Sequence, residues 1–213
     1  TITINRPNKL NSITLDMLNM VDEAIDDAWG DPSIRCIVFK GAGDRSFCAG
    51  ADIEGFLEMD PEEVLTVPET GHRVFKKLLE IPKPVVAAIN GYCLGGGNEL
   101  ILYCDFRLAS EKSQFGQPEV NLGLIPGWGG NYLLPKIVGY TLGKEMLMTG
   151  KRIKADEAKQ AGLLNAVYPE EVFEEKVSEF ISQLVAGPPR SLQYIKKISN
   201  LDPVLEQALE HEK

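Results

Sequence analysis

Histidine is almost absent from this chain: of 213 residues only His72 and His211 are histidines. That leaves little room for an imidazole-based metal site or a Ser-His-Asp triad. Cysteine is sparse too. Cys36, Cys48, Cys93 and Cys104 form no C-x-x-C pair and sit in apolar runs. They read as buried free thiols in a reducing compartment, which gives a cytoplasmic expectation. No uncharged apolar stretch approaches a membrane span, and the first residues do not read as a secretory signal. Basic charge is the minority, with 22 Lys plus Arg against 31 Asp plus Glu. An acidic balance opposes non-specific binding to nucleic acid or to an anionic membrane. Phosphate-loop patterns are missing as well: no G-x-G-x-x-G opens a helix, and Gly143-Lys144 is followed by Glu145. We therefore expect no metal, no nucleic acid and no membrane partner, and acid–base chemistry falls to carboxylates.

What the chain does have is apolar substance, at 44% of its residues, enough for one ordinary domain with a sizeable core. Its organising stretch runs from Lys83 to Gly130. Pro84-Val85-Val86-Ala87-Ala88-Ile89 reads as a buried strand, and Glu99 to Cys104 as a short buried helix. Between them stand Gly95, Gly96 and Gly97. Three successive glycines cost backbone entropy, so a plain connection gains nothing from them. They allow a tight turn and the close approach of another group. The N–H groups at the start of the following helix favour an oxygen that gains negative charge, and Glu99 sets a carboxylate beside them. Strand, glycine turn and helix also recur in many proteins with no site, where an acid in the first turn merely suits the helix dipole.

Elsewhere the chain supplies an echo. Ser46 to Ile53 again runs from an apolar strand through small residues, Ala49, Gly50 and Ala51, to an acid, Asp52. Two such turns on neighbouring strands can offer two donors to one oxygen. Thr1 to Asn5 reads as a strand. Thr14 caps a helix from Leu15 to about Trp29, and Cys36 to Phe39 forms another strand. Glu54 to Glu80 reads as two short surface helices, the most mobile part of the chain. Phe106 to Ala109 is a further strand. A loop dense in Gly and Pro then surrounds Glu119, which becomes a second acid–base group if it meets Glu99. The remainder reads as helical: 131–138, 141–149, 155–161, 170–186 and 191–200, with Gly187-Pro188-Pro189 as the best boundary. The echo is too loose to be called a repeat.

Taken together, Asn5-Arg6-Pro7, Cys48 to Ile53, Lys83-Pro84 to Gly91, Gly95 to Leu100, Phe115 to Glu119 and Ile125 to Gly130 resemble the enoyl-CoA hydratase/isomerase (crotonase) family, in its order and at similar separations. The resemblance implies an α/β fold: a spiral of β-β-α units over residues 1–186, followed from 187 to 213 by the start of a helical oligomerisation region. It implies an acyl-CoA thioester partner, a homotrimer or hexamer, and no cofactor beyond the coenzyme A of the substrate. It places an oxyanion hole at the Ala51 and Gly96 amides and acid–base roles on Glu99 and Glu119. Substrate-lining roles fall to Ala49, Asp52, Ile53, Gly95, Gly127 and Trp128. Hydratases of the family carry both glutamates, so hydration is favoured. The alternatives are a 3,2-enoyl-CoA isomerase or another reaction of the family, and a non-catalytic or RNA-binding member. Trp128 stands where many hydratases have a small residue, and Glu54 where a lysine often holds the coenzyme. The chain opens without Met and stops inside a helical stretch, so we expect residues missing at both ends.

Overall fold

The computed structural model describes residues 1–212. In chain order the elements are β1 (Ile2–Ile4), α1 (Leu15–Gly30), β2 (Ile37–Gly41), β3 (Ser46–Cys48), α2 (Ile53–Leu57), α3 (Pro61–Val64), α4 (Thr66–Glu80), β4 (Val85–Ile89), β5 (Tyr92–Leu94) and α5 (Gly96–Leu102). The second half carries β6 (Phe106–Ser110), β7 (Gln114–Gly116), α6 (Gly130–Val138), α7 (Tyr140–Thr149), β8 (Arg152–Lys154), α8 (Ala155–Gln160), β9 (Ala166–Tyr168), α9 (Phe173–Ala186), α10 (Pro189–Ser199) and α11 (Leu205–Glu210).

Two sheets form. The larger, in the order β1-β2-β4-β6-β9, is parallel throughout. The smaller, β3-β5-β7-β8, is parallel except for its last pairing. Each successive strand pair, β2/β3, β4/β5 and β6/β7, puts its first strand in the large sheet and its second in the small one. That is the spiral of β-β-α units. The repeat is one of backbone path, which is why residue identities barely echo it.

The unbroken apolar run of β4 follows from having both faces covered. Val85, Ala87 and Ile89 enter the main core, while Val86 and Ala88 join Val38, Leu108, Phe173 and Val177 beneath α9. Thr14 caps α1 as expected, its hydroxyl accepting from the Met17 N–H at 3.2 Å.

Residues 54–80 differ from the expectation of two short surface helices. α2 and α3 are short, but α4 is a 15-residue helix whose Val67, Gly71, His72, Val74, Phe75 and Leu78 are buried. Its charged residues mask that apolar stripe in the sequence. On the outside they tie α4 to α1: Lys77 reaches Asp22 at 2.5 Å and Asp26 at 2.7 Å, and Arg73 pairs with Asp22. The region after 131 is not wholly helical either. β8 pairs antiparallel with β7, Ile153 opposite Phe115, and β9 extends the large sheet beside β6. Strands of three residues are too short to show alternation, and their edge partners define them.

Beyond Gly187, α10 is pinned by Lys196, whose Nζ donates to Asp105 Oδ2 at 2.7 Å and to the Lys83 carbonyl at 3.0 Å. Its outer face leaves Tyr194, Ile195 and Ile198 exposed, continued by Leu201. The four cysteines are free, and Cys48, Cys93 and Cys104 are buried. Burial pushes the Cys48 and Cys104 thiols up to about 12, so they stay protonated and unreactive. Among the described residues, no helix is long and apolar enough to cross a membrane.

Candidate active site

The two glycine turns meet because β3 and β5 are paired, Cys48 opposite Cys93. After β3 the chain makes a parallel bridge with Ile13: Ile13 N–H donates to the Gly50 carbonyl and Asp52 N–H to the Ile13 carbonyl, both at 2.8 Å. In such a bridge the intervening Ala51 N–H points the opposite way. On its other side Gly50 packs against the end of β5 and the start of α5. A Cβ built on Gly50 would lie 3.7 Å from the Gly96 nitrogen. Gly96 is the first residue of α5, where an N–H has no partner within the helix.

Each glycine of the triplet answers a separate crowding. Gly95 has φ +49°, and a Cβ there would stand 2.7 Å from Glu119 Oε1. On Gly96 it would meet the Trp128 ring at 2.2 Å, and on Gly97 the Cys48 carbonyl oxygen at 2.3 Å. The turn is packed on three sides, and Gly95 and Gly96 line the cavity.

Glu99, one turn into α5, is 2% exposed. Its Oε1 accepts two backbone N–H groups, from Trp128 at 2.7 Å and from Gly130 at 2.8 Å. Burial first, then the charges of Glu119 and Glu212, push its carboxyl well above the ordinary carboxylate range, against the pull of those two hydrogen bonds. Glu119 opens the short helical turn after β7 and is partly buried. Desolvation raises its carboxyl to about 7. The buried Gln117 amide lies between the two turns, oriented so that its nitrogen donates to the Gly95 carbonyl and to Glu119 Oε1, both at 3.2 Å. Two carboxyls of raised affinity for protons, acting on each other, hold a proton near neutral pH and can exchange it with a bound reactant.

These residues line a cavity of about 170 Å³. Of the residues expected from sequence, Ala49, Ala51, Ile53, Gly95, Gly96, Glu99, Glu119, Gly127 and Trp128 all stand on its wall. Asp52 does not. Its carboxylate turns away to Arg6 at 2.8 Å, and that guanidinium also donates to the Ser12 carbonyl. Glu54 is exposed and pairs with Lys9 at 2.8 Å. Trp128 is buried, edge-on to Phe75 with ring centroids 5.4 Å apart, and its indole N–H donates to the Val67 carbonyl at 3.3 Å. It forms an apolar end wall.

Beyond Gly50 and Pro118, the wall holds six residues to which sequence reasoning gave no lining role: Phe56, Val67, Pro68, Leu122, Leu124 and Ile125. Leu122, Leu124 and Ile125 are largely exposed, and only a spatial map distinguishes them from scattered surface apolars. Sequence reasoning also missed Glu212 and His72, which meet behind the site at 3.2 Å. Separated by 140 positions, they leave no local signal. Among the described residues, no group of three His, Cys, Asp or Glu side chains could hold a metal ion.

The enoyl-CoA hydratase/isomerase family pattern matches residues 1–213. The chain is 39% identical over 199 residues to a short-chain-enoyl-CoA hydratase of Clostridium acetobutylicum, covering 93% of this chain and 76% of that protein. It is 43% identical over 198 residues to a crotonyl-CoA hydratase of Syntrophomonas wolfei, covering 92% and 76%. Among solved structures, an enoyl-CoA hydratase from Mycobacterium avium subsp. paratuberculosis superposes with a TM-score of 0.90 at 33% identity, covering 99% of this chain and 85% of that one. The enoyl-CoA hydratase from Bacillus anthracis gives 0.89 at 35% identity, with 99% and 83% covered.

Proposed function

The chain belongs to the enoyl-CoA hydratase/isomerase family, and we propose that it adds water syn across the 2,3 double bond of a short 2-enoyl-CoA, using Glu99 and Glu119 as the acid–base pair. The observation that carries this reading is the pair of proton-holding carboxyls on one small cavity with the Ala51 and Gly96 turns. The thioester carbonyl oxygen accepts from the Ala51 and Gly96 amides. Water oxygen bonds to C3, the π electrons move toward the carbonyl, and that oxygen becomes enolate-like. Fixed donors favour this charge over the neutral carbonyl. One glutamate takes the water proton, and the other delivers its own to C2. The pair carries one proton before and after, so the cycle closes without a cofactor; coenzyme A is part of the substrate.

Leu124, Ile125, Val67 and the Trp128 end wall suit a short apolar acyl group, as in fatty acyl metabolism. Residues 1–186 make up the catalytic spiral in this reading. Residues 187–213 begin a helical region whose exposed Tyr194, Ile195, Ile198 and Leu201 meet other copies in a trimer or hexamer. A cytoplasmic setting fits the free thiols.

Steady-state hydration of crotonyl-CoA by the full-length protein tests the assignment, alongside Glu99→Gln and Glu119→Gln. Both variants are expected to lose at least about a hundredfold in kcat. Loss in the Glu119 variant alone, with the double bond merely moved, would make the enzyme an isomerase.

A further inference from the structure

Three consecutive backbone N–H groups alternate between two carboxylates. Trp128 and Gly130 donate to Glu99, as described, while Gly129 between them donates the other way, to Glu212 Oε2 at 2.6 Å. Glu212 lies just past α11 and is 8% exposed. Its other oxygen accepts from Asn131 Nδ2 at 2.9 Å, and the same amide nitrogen holds the Pro126 carbonyl at 2.7 Å. From α4, His72 Nε2 stands 3.2 Å from Glu212 Oε2, and His72 is itself buried. One carboxylate therefore grips the 126–131 turn from behind at two points and is gripped in turn by α4. The turn has no local reason to hold this shape: Gly129 sits at φ +101°, and N–H groups pointing to opposite sides in a dry interior need acceptors on both.

We propose that Glu212 is a positioning residue for Glu99, acting through the Trp128–Gly130 turn with His72 fixing its carboxylate. This role rests on the hydratase reading of Glu99. Without Glu212, the Gly129 N–H and His72 face a buried space with no acceptor, a cost that drives the turn to rearrange. The two donors that fix Glu99 Oε1 move with it. Most of the pocket, the Ala51 and Gly96 turns with Phe56, Val67 and Leu124, lies outside the 126–131 turn, so the larger loss falls on kcat.

The test uses full-length protein carrying Glu212→Ala or Glu212→Gln, with crotonyl-CoA kinetics and hydrogen exchange of peptides spanning residues 126–131. In the Ala variant kcat is expected to fall about 10- to 100-fold, the scale of a catalytic group displaced by about 1 Å. KM should stay within about threefold, and exchange at 126–131 should accelerate. The Gln variant keeps one acceptor oxygen, enough for the Gly129 N–H though not also for Asn131, and should recover a large part of kcat. Its pH–kcat profile should move to lower pH, because the Glu212 charge that raises the Glu99 carboxyl has gone. A residue that merely docks α11 would leave exchange at 126–131 unmoved. Wild-type kcat in the Ala variant, unchanged exchange at 126–131, or a Gln profile superimposable on wild type each overturn the proposal. If the Ala variant does not fold, the Gln profile decides alone. If the wild type does not hydrate enoyl-CoA, the hydratase reading fails separately, and exchange still reports whether Glu212 anchors the turn.

Discussion

Glu119 Oε1 occupies the space beside Gly95, 2.7 Å from where a Cβ on that glycine would stand. The second glutamate of the site rests directly on the turn proposed to supply an oxyanion donor. Substituting Gly95→Ala forces a side chain against the carboxylate at φ +49° and ψ −128°, a sparsely populated backbone region that costs about 1–3 kcal/mol in strain alone. We expect a lower Tm and a kcat reduced by at least about tenfold, while the milder Gly123→Ala, at φ +70° with nothing within 4 Å of its Cβ, lowers stability only.

The Trp128 ring is clasped between two glycines: a Cβ on Gly71 would lie 2.2 Å from its Cδ1, and one on Gly96 2.2 Å from its Cζ3. Overpacking of this kind costs about 1–3 kcal/mol. Gly71→Ala should destabilise by that amount, and Trp128→Leu should destabilise by removing a buried aromatic. The double variant should be more stable than the sum of the two effects, because the smaller residue leaves room for the added methyl. Urea unfolding of all four proteins measures the coupling, and strict additivity would contradict the packing described.

How much of this was legible beforehand follows from the range of each signal. Glu99 announced itself because three glycines and a first-turn acid are adjacent in the chain. The neighbouring placement of the Ala51 and Gly96 turns followed from two similar strand–turn patterns, which pairing of β3 with β5 brings side by side. Asp52 shares that local pattern, yet its side chain is turned away by Arg6, 46 positions distant. α4 was obscured by the charges on its outer face, and Glu212 by a separation of 83 residues from the amide it holds. Local chemistry was readable; partners brought in by the fold were not.

Glu119, raised to about 7 by desolvation, also fixes a sign for stability. A carboxyl with a folded pKa above its unfolded value binds its proton more tightly in the native state. Its stabilising contribution is present below the unfolded value, near 4.5, and is lost as pH rises through about 7. Glu119→Gln should therefore flatten the decline in stability between those limits, measured by urea unfolding across pH. An unchanged slope would mean that Glu119 is solvated and ordinary.

The most direct test of the central claim is the product formed from crotonyl-CoA in D₂O by the full-length wild-type enzyme, read by proton NMR. Two-carboxylate hydration predicts 3-hydroxybutyryl-CoA carrying one deuterium at C2, on the same face as the new C3 oxygen. Migration of the double bond with no oxygen at C3 would contradict hydration, as would deuterium on the opposite face.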